Sequence, residues 1–424
     1  MMDIKPPVPL QHARHAGGLH WLNLKSGPAM NILMISDVFF PRINGVSTSI
    51  DTFRNSLHNL GVNSTLIAPD YPNRTSPDSE TLLRVPSRQV PLDPEDRMMR
   101  RSAIRSLDAP LTQRRFDLVH IHTPFVAHYA GIELARKLGV PCVATYHTFF
   151  EEYLFHYIPF LPKDWLKGLA RRFSRGQCNQ LDAVIVPSRA MASTLADYGV
   201  QRPVHILPTG LSEQQFHGGD GCHFRQRYQI SKERKLLLFV GRVAHEKNIG
   251  FLIEMMSMLR QREPQALLLI TGEGPALDGL KLQVQQASLD EHVRFLGYLD
   301  RDSELHDCYR AADLFVFASR TETQGLVLLE AMALGTPVVA LAAMGTRDIL
   351  ESQQGCRIAP DDPALFATVV GQLLQDQATL QALGREARRY ARTWRTETLS
   401  GRLVELYGSW ISNHQAARGR LHPA

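Results

Sequence analysis

Twelve short apolar runs, each closed by Gly, Pro or a polar residue and separated by stretches of helical period, constrain this chain more than any other feature. The first six are Asn31–Ser36, Ser64–Pro69, Asp117–His122, Cys142–His147, Ala183–Ser188 and Val204–Pro208. The second six are Leu236–Gly241, Ala266–Thr271, Val293–Gly297, Leu314–Ser319, Pro337–Ala340 and Cys356–Ala359. Within the runs Val, Ile and Leu follow one another without polar alternation, which means strands covered on both faces. Strands that alternate with helices join as parallel βαβ units, because a parallel pair needs a long crossover. Two similar series therefore predict two doubly wound parallel sheets. The break between them falls near Pro208–Arg234, where Thr209-Gly210 and Gly218-Gly219-Asp220-Gly221 interrupt any period. Over 362–417 the strand-like runs stop and Leu, Ala, Arg and Gln dominate, so this end reads as helical. Ligands of open parallel sheets sit at the carboxyl ends of the strands, and two such sheets face to face define a cleft.

A length of 424 residues suits two or three domains, and 44% hydrophobic with 21% charged residues is globular composition. No apolar run approaches the ~18 residues of a membrane-crossing helix. The net charge of +5 is too mild to argue for nucleic acid but suits an anionic ligand or membrane surface. The five cysteines include no C-x-x-C pair and no zinc spacing, and read as buried thiols in a reducing, cytoplasmic compartment. Residues 1–29 lack a signal peptide's apolar segment and read as a mobile extension; Met30, directly before the first run, is a candidate start.

The most informative loop is Ser319-Arg-Thr-Glu-Thr-Gln-Gly-Leu-Val-Leu-Leu-Glu330, which leaves a strand and enters a helix near Gly325. Unpaired N–H groups at a helix start favour anions. Glu322 and Glu330 are placed to accept hydrogen bonds from two sugars of one extended ligand; the competing reading is a capping Glu322 and a solvent-facing Glu330. In Val240-Gly-Arg-Val-Ala-His-Glu-Lys247, Arg242 and Lys247 follow a buried strand and suit a diphosphate. Asn44-Gly45 links the first strand to its helix, with Gly45 allowing close approach and Ser47 or Thr48 as the expected cap. It is not a G-x-G-x-x-G fingerprint, which counts against a dinucleotide oxidoreductase. His120 and His122 share a strand face. Neither has a third ligand spaced for a metal. His147, at a strand's carboxyl end, is better placed for a substrate. Then come six aromatics within Phe149–Pro162, Phe150 and Tyr153 among them. After them Lys163, Lys167, Arg171 and Arg175 recur every four residues beside Trp165, Leu169 and Phe173, the pattern of an interfacial helix. Its competing reading is an ordinary amphipathic helix packed on its own sheet.

Together, Glu322-x7-Glu330, Gly241-Arg242-x4-Lys247, Asn44-Gly45, Tyr146-His-Thr148, Pro187-Ser188 and Gly272-Glu-Gly-Pro275 resemble the family-4 retaining glycosyltransferases over about residues 30 to 395. The wording around Thr321–Val327 and Phe40–Val46 is similar to diacylglycerol glucosyltransferases and related lipid mannosyltransferases. The resemblance implies an α/β fold of GT-B type: two facing Rossmann-like domains, 30–208 on the acceptor side and 209–395 binding the nucleotide-sugar, then a C-terminal helix and tail over 396–424. It implies that Glu322 binds donor-sugar hydroxyls, Glu330 the ribose, and Arg242 and Lys247 the diphosphate. Gly45 and the backbone of Thr323, Gln324, Gly325 and Leu326 would contact sugar and phosphates, and His147 the sugar near its reacting carbon. Phe150, Tyr153, Trp165, Lys167 and Arg171 would meet the membrane or acceptor.

The expected activity is transfer of a hexose with retention, glucose from UDP-glucose, to a hydroxyl of a lipid or glycan acceptor such as diacylglycerol. No metal or other cofactor and no nucleic acid is expected, and a peripheral position on the inner membrane face is. A GDP-mannose donor is the nearest alternative. A UDP-sugar epimerase and a non-catalytic lipid-binding module are more remote, since the first needs no acceptor and the second has no use for a diphosphate clamp.

Overall fold

A computed structural model of the chain describes residues 29–72, 79–90, 93–147, 163–301 and 303–421. The extension expected at the N-terminus and the aromatic segment with Phe150 and Tyr153 lie outside the described residues. The first half forms strands β1 (Asn31–Ile35), β2 (Asn63–Pro69), β3 (Leu82–Val85), β4 (Ser87–Val90), β5 (Asp93–Met99), β6 (Leu118–Ile121), β7 (Cys142–Thr145), β8 (Ala183–Val186) and β9 (Val204–Ile206). All but β4 and β5 join one parallel sheet in the order β3-β2-β1-β6-β7-β8-β9. The second half forms β10 (Lys235–Val240), β11 (Ala266–Thr271), β12 (Val293–Gly297), β13 (Leu314–Phe317), β14 (Val338–Ala340) and β15 (Cys356–Ile358). These make a second parallel sheet, β12-β11-β10-β13-β14-β15.

The continuous apolar runs have a packing explanation. Along β1, Leu33 and Ile35 enter one core while Ile32 and Met34 enter the other, on the opposite face. Both faces are covered, so apolar residues are favoured at both parities. Every one of the twelve runs coincides with a strand to within a residue or two at each end. Sequence periodicity misses β3 and the antiparallel pair β4–β5. The first is a four-residue edge strand, and the pair, Ser-Arg-Gln-Val and Asp-Pro-Glu-Asp-Arg-Met-Met, is too polar to resemble a buried strand.

The helices include α1 (Gly45–Asn59), α2 (Val126–Leu138), α3 (Lys163–Cys178), α4 (Arg189–Asp197), α5 (Leu326–Ala333), α6 (Thr346–Leu350) and α7 (Thr396–Leu421). The cap of α1 differs from expectation. Asn44 is the N-cap, its side chain accepting from Ser47 N at 2.8 Å, because its extended backbone points the short amide back over the first turn. Helix α7 leaves the second domain and returns to the first. Its Leu399, Leu403, Val404, Tyr407 and Trp410 complete the core on one face of the first sheet. Of the cysteines expected to be buried, Cys222 is exposed, since it opens a short surface helix.

Candidate active site

In each sheet the strand order reverses once beside the central strand, between β1 and β6 and between β10 and β13. Loops diverge at such a switch point and leave a crevice at the carboxyl ends of the strands. The two crevices open into one cleft of about 1950 Å³. From the first domain, Asn44, Gly45, Thr48 and His147 line it. From the second, Arg242, Lys247, Arg301, Glu322, Thr323, Gln324, Gly325, Leu326 and Glu330 do. The fold thus brings all ten residues expected in the catalytic and donor-binding sets to one place.

The loop after β13 is shaped by two glycines. Gly325, with φ +94°, is the N-cap of α5 and takes a backbone angle that side-chain-bearing residues rarely adopt. Gly345 supports the loop from behind, its N–H donating to Glu322 O at 2.8 Å. A Cβ at Gly345 would stand 1.9 Å from Thr323 O. Glu322 therefore lies in the loop and does not cap α5. Its Oε2 accepts from Lys247 Nζ at 2.6 Å, and both side chains are about four-fifths covered. Burial opposes charge on Lys247, but the Glu322 carboxylate outweighs it and the pKa is raised, so the ammonium is retained. Arg242 acts on the same ammonium in the opposite sense, which puts two cations at one end of the cleft.

Glu330 is buried on α5, not solvent-facing. Its Oε1 accepts from Arg301 Nη2 at 2.9 Å and Gln215 Nε2 at 3.3 Å, and its Oε2 from Tyr309 Oη at 2.9 Å. Burial and then the nearby carboxylate push the Tyr309 hydroxyl well above its ordinary pKa, so it remains a donor. Arg301 also donates to Thr48 Oγ1 on α1 at 2.9 Å and so links the two domains. The Gln324 side chain is spent on structure. It clasps the backbone of the interdomain linker, accepting from Thr209 N at 2.9 Å and donating to Thr209 O at 2.7 Å.

Sequence reasoning missed Arg301, Tyr309, Gln215 and Gly345. A lone arginine in a polar turn, or a tyrosine in a helix, carries no local pattern; their importance comes from partners 21 to 253 residues away. His147 was expected, but the histidines beside it were read only as a strand face. Ring centroids of His120 and His122 are 4.1 Å apart, and His122 lies 5.7 Å from His147. Among the described residues, no group of three His, Cys, Asp or Glu side chains is arranged to hold a metal ion.

Away from the cleft, α3 buries Leu166, Ala170, Ser174 and Gln177, with Phe173 packed beside them. The residues expected as an apolar stripe are split: Trp165 and Leu169 are left 67% and 46% exposed. Arg171 is exposed and lies over the Tyr198 ring, and Lys167 is half-buried. No helix among the described residues is long and apolar enough to cross a membrane.

Residues 43–215 match the model of Glycosyltransferase Family 4, and residues 223–390 that of Glycosyl transferases group 1. The chain is 32% identical over 322 residues to the alpha-monoglucosyldiacylglycerol synthase of Streptococcus pneumoniae, covering 73% of this chain and 71% of that protein. It is 28% identical over 407 residues to a GDP-mannose-dependent alpha-mannosyltransferase of Mycolicibacterium smegmatis, covering 92% and 98%. Among solved structures, the sucrose-phosphate synthase of Thermosynechococcus elongatus superposes with a TM-score of 0.74 at 21% identity, over 91% of this chain and all of that one. Anabaena HepE in complex with UDP-glucose superposes with a TM-score of 0.70 at 17% identity, over 90% and 100%. Two doubly wound sheets, a shared cleft at their switch points and a relative alike over two thirds of both chains lead to one conclusion: the chain belongs to the family-4 glycosyltransferases, with their GT-B architecture.

Proposed function

We propose that this enzyme transfers glucose from UDP-glucose, with retention, to a hydroxyl of a membrane lipid such as diacylglycerol. The observation that carries the reading is the Lys247–Glu322 pair beside Arg242, at the mouth of a loop that ends on a helix start. Lys247 and Arg242 hold the diphosphate and offset the charge that grows on it as the glycosidic bond breaks. With the α5 terminus they do the work of a metal ion. Lys247 occupies only one oxygen of Glu322, which leaves the other for sugar hydroxyls. Glu330 has three of a carboxylate's roughly four lone-pair positions filled, so one ribose hydroxyl fits directly and a second displaces the long Gln215 contact. Gly45 and the backbone of Thr323–Leu326 meet phosphate and sugar, and His147 the sugar near its reacting carbon.

The leaving phosphate takes the proton of the acceptor hydroxyl on the face it departs from. The bond from sugar carbon to phosphate oxygen breaks, the bond to acceptor oxygen forms on that face, and no protein general base is needed.

A lipid acceptor is supported by the pneumococcal relative, an alpha-monoglucosyldiacylglycerol synthase, and by Trp165 and Leu169, exposed on a helix rich in Lys and Arg. In this reading α3 rests on the anionic inner face of the membrane. The mannosyltransferase relatives match over a longer span, which favours GDP-mannose as the second reading.

The test follows nucleoside diphosphate release from UDP-glucose, UDP-galactose and GDP-mannose, each with and without diacylglycerol vesicles, and again with EDTA. Release from UDP-glucose only with vesicles, unaffected by EDTA, is expected. Release from GDP-mannose alone would select the second reading, and release without lipid would remove the lipid acceptor.

A further inference from the structure

His147 does not stand alone. Nδ1 of His122 lies 3.4 Å from its Nε2, with the ring planes within 23°. Behind them, His120 meets two hydroxyls, Tyr407 Oη at 2.6 Å on Nδ1 and Thr145 Oγ1 at 2.7 Å on Nε2. A hydroxyl can give or accept a proton, so His120 is satisfied in either tautomer. His122 is not. It is 2% exposed, and its Nε2 is buried with no hydrogen-bond partner among the described residues.

All three rings are neutral at neutral pH, because burial lowers their pKa: His147 to about 4, His120 to about 3, and His122 well below its ordinary value. A neutral imidazole carries one N–H and one bare nitrogen. With the proton of His122 on Nε2, a buried N–H would be orphaned, the rarer and costlier defect in folded proteins. With the proton on Nδ1, the N–H is used and only a bare nitrogen is left alone.

We propose that His122 is a positioning residue for glycosyl transfer: its Nδ1–H donates to Nε2 of His147 and holds that ring in its Nδ1–H form. The cleft is then met by a neutral N–H donor, not by a lone pair. Such a donor serves a sugar oxygen without opposing the positive charge that develops at the sugar carbon, as an imidazolium would. The inference rests on the reading of His147 as a sugar contact.

The test uses the full chain with 15N-labelled histidine, the His147 signals being assigned by their loss in His147→Gln. Wild type is expected to show His147 protonated at Nδ1 and bare at Nε2. His122→Asn keeps an amide N–H near the position of Nδ1 and should preserve both this signature and turnover. His122→Leu should abolish the tautomer preference and lower kcat with UDP-glucose and diacylglycerol vesicles about tenfold, with KM for UDP-glucose little changed.

A wild-type His147 protonated at Nε2, or a His122→Leu protein with an unaltered His147 spectrum, would overturn the proposal. If wild type shows the expected signature but no lipid-dependent turnover, the donor and acceptor reading has failed and the hydrogen bond is supported. Full turnover in His147→Ala overturns the sugar contact, and with it the positioning role.

Discussion

At the scale of residues, the site is a set of charges held by specific neighbours, and single changes read out which neighbour matters. Replacing Lys247 with Met leaves Glu322 largely covered and without its cation. Transfer should fall by about 10² in kcat/KM, the loss typical when one preorganised electrostatic contact to developing charge is removed. Steady-state kinetics with UDP-glucose checks this, and a change of less than about twofold would remove Lys247 from the diphosphate clamp. Gly345→Ala tests the loop and not the charge. Its Cβ would meet the Thr323 and Gln324 backbone, which cannot give way without moving the donor loop. KM for the donor should rise about tenfold, and Gly279→Ala, where a Cβ meets nothing within 4 Å and the backbone angle is ordinary, serves as the spacious glycine control.

At the scale of elements, α3 shows how one helix serves two surfaces. Its buried face is a narrow stripe of Leu166, Ala170, Ser174 and Gln177, so Trp165 and Leu169 fall outside it. Trp165→Ser combined with Leu169→Ser should leave the thermal midpoint nearly unchanged, since exposed positions cost within about 0.5 kcal/mol. Co-sedimentation with vesicles rich in anionic lipid should drop markedly. Sedimentation equal to wild type would return α3 to an ordinary surface helix. The period of the sequence revealed that this helix is amphipathic and basic. It did not reveal which apolar residues pack, because that depends on the radius and rotation at which α3 meets the sheet.

At the scale of the whole molecule, the two domains are tied by few but specific contacts. Arg189 on α4 pairs with Asp348 of α6 at 3.0 Å and with Glu351, Ser49 meets Thr209 at 2.7 Å, and α7 spans from one domain into the core of the other. Burial across the assembled first domain also sets its pH response. His120, His122 and His128 are each 2% exposed, and burial depresses their pKa, to about 3 for His120 and about 4 for His128. Unfolded, they take up protons near pH 6.5. The stability they contribute is present above that value and is lost as pH falls toward 4. Asp37 works against them, since burial raises its pKa to about 6 and its contribution is lost as pH rises through that value. With His147, whose pKa burial also lowers to about 4, these histidines outweigh Asp37, so the thermal midpoint should fall as pH drops from 7 to 5. His128→Leu should flatten that fall by on the order of 2 kcal/mol at pH 5. A pH series of thermal midpoints decides it, and an unchanged slope in the variant would refute it.

Local sequence was enough to specify the two parallel sheets, because strands covered on both faces favour apolar residues at both parities and that preference is local. It also determined which charged and glycine residues sit at the carboxyl ends of strands, since a strand's end is marked by where its apolar run stops. Partnership, by contrast, follows from how the chain packs in three dimensions. Glu330 receives Gln215, Arg301 and Tyr309, Gln324 turns to the linker, and His122 meets His147. Those pairs join residues from 21 to 115 positions apart across crossovers and domains. No period of two or 3.6 residues encodes them, because they follow from how the sheets stack and where α7 returns.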